Sequence, residues 1–93
     1  MASFQIAHIN ERGSDVIILP LAATFRDKSP EEQKKMLDGI KQCVRKAGLR
    51  GDLVPVWPEG DNIGFIAPKP WHPFCQSLTW DWIRYNINRE LTV

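Results

Sequence analysis

The side chains of this 93-residue chain best suited to chemistry are two histidines and two cysteines. His72 and Cys75 lie three apart in Trp71-His72-Pro73-Phe74-Cys75. Together with His8 and Cys43 they would supply four soft ligands, the number a structural zinc site requires. His72 next to Cys75 also offers a base beside a thiol nucleophile. Neither pattern is specific. Cys43 falls on the apolar stripe of a helix, where a free cysteine behaves as a small hydrophobe. Pro73 leaves the relative directions of the His72 and Cys75 side chains undetermined. The sequence has no phosphate-binding glycine loop, Cys-x-x-Cys, His-Glu-x-x-His or nucleophile elbow. Its eleven carboxylates show no spacing that implies shared acid–base work. The expectation is therefore no metal, no cofactor and no catalytic residue.

Aromatic residues carry more information. Four tryptophans, Trp57, Trp71, Trp80 and Trp82, are dense for so short a chain. Pro68-Lys69-Pro70-Trp71-His72-Pro73-Phe74 holds Trp and Phe on a proline-stiffened backbone, where they lose little entropy on contacting a partner. Three prolines in six residues point to an extended or polyproline-like path and away from a helix. Pro70 and Pro73 have the minimal spacing of a polyproline ligand, a pattern common by chance. The plainer alternative is that Trp71 and Phe74 fold back to cap one end of the core.

Composition bounds the rest. One domain and one core fit the length. Hydrophobic residues at 43% and charged residues at 25% are ordinary globular usage. A net charge of +1 predicts no strong attraction to nucleic acid or anionic lipid. Nothing at the N-terminus reads as a signal peptide, and the longest apolar run, Val16 to Ala23, is broken by Pro20. A soluble, cytoplasmic protein with reduced thiols and no membrane association is expected.

The elements that must position these residues are marked by local signals. Ser3 to Ile9 and Val16 to Leu19 flank a polar turn cluster and read as a hairpin. The second run is continuous, which suits a central strand covered on both faces, and Pro20 should end it. Ser29-Pro30-Glu31-Glu32 offers an N-cap, a first-turn proline and an acid three residues on. Met36, Leu37, Ile40, Cys43, Val44 and Ala47 then recur at helical spacing, and Gly48 closes the helix. Its other face, with Lys34, Lys35, Asp38, Lys41, Arg45 and Lys46, reads as a solvated basic surface. Leu53–Trp57 and Ile63–Ala67 flank Pro58-Glu59-Gly60-Asp61-Asn62, a second hairpin, in which Pro55 suggests an edge or bulged strand. A last helix is expected from Thr79, with Trp80, Ile83, Ile87 and Leu91 inward. Residues two apart on a helix diverge by about 160–200°, so Trp82, Tyr85 and Arg89 should form a second, accessible face.

These signals combine into an α+β domain: a four-stranded, mainly antiparallel sheet in ββαββα order, with two helices packed on one face. The first helix is also long enough to cross between a parallel pair. Residues 3–48 and 52–91 echo each other weakly, as in a structural pseudo-repeat. The functional expectation is a small non-enzymatic binding module, homodimeric or bound to a protein partner. Its contact residues would be Trp71, His72, Phe74, Trp82, Tyr85 and Arg89. The alternatives are a small-ligand or enzyme-like pocket near His72 and, disfavoured by charge, a binder of single-stranded nucleic acid.

Overall fold

The computed structural model describes residues 3–92. The class is α+β, built on a mixed sheet of five strands in the order β4-β3-β2-β1-β5. β1 (Ser3–Glu11) and β2 (Ser14–Pro20) form the first hairpin, with Glu11 opposite Ser14. Its two-residue turn holds Arg12 and Gly13 at φ 53° and 83°, the pair of positive angles that matches hairpin twist. β3 (Asp52–Glu59) and β4 (Asn62–Phe65) form the second hairpin, closed by Gly60 at φ 60°.

Between the hairpins runs α1 (Pro30–Lys46), and its ends follow the local signals. The Ser29 hydroxyl accepts from the Glu32 N–H at 3.2 Å. At the other end Leu49 N–H donates to Val44 carbonyl and Gly48 N–H to Arg45 carbonyl, with Gly48 at φ 75°. That pair of bonds satisfies carbonyls the helix leaves over. α1 is the crossover that makes β2 and β3 parallel, Val16 lying opposite Asp52.

The expected sheet and layering need four corrections. The fifth strand is β5 (Arg89–Thr92), antiparallel to β1 at the edge. The final helix is correspondingly short: α3 (Trp80–Asn86), capped by the Thr79 hydroxyl. Pro55 is not at an edge, because β3 lies between β2 and β4. Its carbonyl accepts from Ile66 N–H just past the end of β4, so the missing N–H falls where the ladder is already ending. The helices also lie on opposite faces. α1 packs with Ile6, Ile17, Leu19, Trp57 and Leu91, while the C-terminal helices pack with Ala7, Val16, Ile18, Val54 and Val56. Alternate residues of β2 thus feed two cores, which is why Val16, Ile17, Ile18 and Leu19 are all fully buried.

The proline-rich segment is the fourth correction. Lys69–Trp71 is a 3₁₀ turn and His72–Gln76 is a short helix, α2. Pro70 and Pro73 each occupy the first turn of their element, where no N–H is required and the fixed φ already suits a helix. No helix of the described residues is long and apolar enough to cross a membrane.

Candidate binding groove

Trp71 anchors the site. Its ring is 8% exposed, and its indole N–H donates to Asp52 Oδ2 at 2.8 Å. That bond ties the 3₁₀ turn to the first residue of β3, nineteen positions earlier. Phe74, one turn on and half-buried, meets Trp71 edge-on at 5.7 Å and Trp82 edge-on at 5.8 Å. Such edge contacts are the favoured aromatic geometry. The three rings form a continuous ladder over the sheet face opposite α1.

Beside this ladder lies a groove of about 670 Å³. One wall is Pro68, Pro70, Trp71, Pro73 and Phe74. The other wall is Glu11, Arg12 and Ser14 of the first hairpin together with Asp52, and Ser77 also lines the groove. The parallel register brings these distant residues together: because Val16 opposes Asp52, the β1–β2 turn and the start of β3 share one end of the sheet. One wall is therefore apolar and the other polar. Arg12 and Glu11 are 4.0 Å apart, with Arg12 almost fully exposed, a pair worth little by itself.

Of the six expected contact residues, Trp71, Phe74 and Trp82 come together in the ladder, with Trp71 and Phe74 lining the groove. Trp82 is not the free surface ring expected. It is partly buried against the core, because Phe74 and the 72–76 helix fill the space beside α3. His72 turns away: its Nε2–H donates to Ala67 carbonyl at 2.9 Å, and its ring meets Phe65 edge-on at 5.4 Å. It does not line the groove. Tyr85 is 89% exposed on α3, outside the groove. Arg89 is also exposed, but it lies on edge strand β5 and so shares no helix face with Tyr85.

The four soft ligands are separated by the sheet. Cys43 packs in the α1-side core and Cys75 in the opposite one, while His8 Nε2 bonds Arg50 carbonyl at 2.9 Å. Among the described residues no group of three or more His, Cys, Asp and Glu could hold a metal ion. Burial pushes the Cys75 thiol up to about 11, which keeps it protonated and unreactive near neutral pH.

Glu11, Arg12, Ser14 and Asp52 were not evident from sequence as site residues. The only signal was the turn chemistry of Arg12-Gly13, which places Arg12 at a hairpin tip. What that tip faces depends on the β2–β3 register, a long-range property. Comparison with protein-family models, with curated proteins and with solved structures finds no match to this chain.

Proposed function

We propose that the chain is a non-enzymatic binding module whose groove takes an extended segment of a partner protein. The observation that carries this reading is the pinned aromatic wall. Trp71 is fixed by its bond to Asp52, and Phe74 is held between Trp71 and Trp82 at the groove's edge. Both stand on backbone stiffened by Pro70 and Pro73. Pre-ordered aromatics of this kind bind without a large entropy cost and dominate contact energetics. Aromatic-lined grooves also suit extended, proline-containing peptides. The rival reading, a reactive pocket at His72, loses support because the His72 and Cys75 side chains are both engaged in packing.

The reading includes self-association, with Tyr85 as contact residue. Among the described residues it is one of two large hydrophobic side chains left exposed, at 89%, and aromatic residues are enriched at interfaces. Selection of random peptides displayed on phage against the folded protein tests the groove. Enriched peptides should bind wild type and lose about tenfold or more in affinity for Phe74→Ala, as expected for a hot-spot truncation. Failure to enrich any sequence, or equal binding by Phe74→Ala, would remove the groove as a peptide site.

A further inference from the structure

Charge in this protein is unevenly distributed along the chain. Residues 26–50, comprising α1 and its flanking turns, hold eight of the twelve Lys and Arg but only four of the eleven acids, a net of +4. The remainder of the chain nets −3. From Lys34 to Arg50 there are six cations and a single acid, Asp38, and all seven are exposed. Among the described residues none of these cations lies within 4 Å of a carboxylate; the ion pairs are Arg12–Glu11, Arg26–Asp27 and Arg84–Asp81. The overall charge of +1 therefore conceals a concentration of positive charge on α1 and its flanking turns.

We infer that the outer face of α1 docks on the phosphate backbone of a nucleic-acid duplex. Lys34, Lys41 and Arg45 fall within about 40° of one another around the helix, at roughly 100° per residue. They span roughly 16 Å along its axis at 1.5 Å per residue, enough to reach phosphates on both sides of a groove about 12 Å wide. α1 contains no aromatic residue, so it has nothing to stack on the bases of a single strand. Its large apolar residues Met36, Leu37, Ile40 and Val44 all pack on the α1-side core. That leaves no apolar face to insert into a lipid interface, the usual partner of a basic helix face on membranes. Helix-end electrostatics account for Glu31 and Glu32 at the start and Arg45 and Lys46 at the end. They do not account for Lys34, Lys35 and Lys41. This surface lies on the other side of the sheet from the groove and does not depend on it.

The test is fluorescence anisotropy with a short labelled duplex of mixed sequence, titrated at several salt concentrations. Three phosphate contacts predict a log–log salt slope of about −3, or a roughly 40-fold loss of affinity for a fourfold rise in salt. The triple variant Lys34→Gln, Lys41→Gln, Arg45→Gln should bind with its salt slope largely gone, while Phe74→Ala in the groove binds as wild type does. Each single Lys→Gln change should reduce the slope by about one, so the result stands even if the triple variant folds poorly. The inference is overturned if folded wild type does not bind the duplex at low salt. It is equally overturned if the triple variant keeps the wild-type slope, or if vesicles rich in phosphatidylserine are bound and the duplex is not.

Discussion

Adding one methyl group to Gly39 and to Gly64 should change stability in opposite directions, because the two glycines meet different surroundings. Gly39 lies on the exposed side of α1, and a Cβ built there meets nothing within 4 Å. Alanine at a helix interior is favoured over glycine by about 0.8–1.0 kcal/mol. Gly39→Ala should therefore stabilise by about 0.5–1 kcal/mol, raising Tm by roughly 3–6 °C in a domain of this size. Gly64 lies in β4 directly beneath Trp57. An added Cβ would fall on Trp57 Nε1, 2.5 Å from Cε2 and 2.7 Å from Glu59 Oε2. Glu59 is exposed and can swing aside. Trp57 cannot, because it is 8% exposed and held edge-on by Phe25 at 5.3 Å. Either the indole tilts into Phe25 or β4 separates from β3, and overpacking of this kind costs about 1–3 kcal/mol.

Urea denaturation followed by far-UV circular dichroism measures both effects. The source of the Gly64 penalty is then isolated with Trp57→Phe, which withdraws the part of the ring that the methyl strikes. Trp57 Nε1 is also buried without a hydrogen-bond partner, so the smaller ring removes an unsatisfied donor as well. The Gly64→Ala cost should shrink by about 1 kcal/mol or more in the Trp57→Phe background, a coupling typical of residues in contact. A neutral Gly64→Ala would refute the packing argument outright. A penalty undiminished by Trp57→Phe would place the cost in the backbone of β4 and not in the ring.

Three further outcomes are expected. Cys75 should alkylate far more slowly than Cys43 in the native protein, since Cys75 is 1% exposed and Cys43 only half-buried. Its thiol, raised from 9.0 to about 11, keeps its proton when the unfolded chain has lost it. The unfolded state then binds fewer protons, so stability should fall as pH rises from about 9 to about 11. Cys75→Ala should flatten that part of the pH profile, and an unchanged profile would show that other groups set it. Tyr85→Ser should shift the protein toward monomer in sedimentation equilibrium with its circular dichroism unchanged. A wild type that is monomeric at high micromolar concentration would end the self-association proposal.

The parts of the fold legible in the sequence are those fixed by neighbours along the chain. α1 is bounded by Ser29, Pro30 and Gly48, all acting within one turn of the residues they punctuate. The hairpin turns are similarly local, with Arg12, Gly13 and Gly60 supplying the positive φ. Layering is not local. The continuous run Val16-Ile17-Ile18-Leu19 already implied a strand covered on both faces, which two helices on one face cannot provide. The parallel crossover resolves that tension by leaving α1 on one side and the C-terminal helices on the other. The groove inherits the same limit: its aromatic wall is visible as a proline–aromatic cluster, but its polar wall exists only once β2 and β3 are in register.

The C-terminal segment shows how a long-range bond decides between two local periods. Ile83, Ile87 and Leu91 are spaced four apart, as on a helix stripe, yet Arg89-Glu90-Leu91-Thr92 also suits a strand edge. Asn88 settles the choice. Its backbone N–H donates to Ile6 carbonyl at 3.1 Å, its Oδ1 accepts from His8 N–H at 2.9 Å, and its Nδ2 donates to His8 carbonyl at 2.8 Å. The side chain thereby stands in for one more strand residue and carries the β1 edge past the end of β5. A helix continued through Asn88 would leave those edge groups of β1 without these partners. It would also hold Leu91 on the same stripe as Ile83. In the structure Ile83 packs in the core beneath the C-terminal helices, and Leu91 packs in the core beneath α1, through the sheet. Only a chain that leaves the helix and joins the sheet edge can place those two residues on opposite faces, and the contacts that make it do so lie eighty residues away.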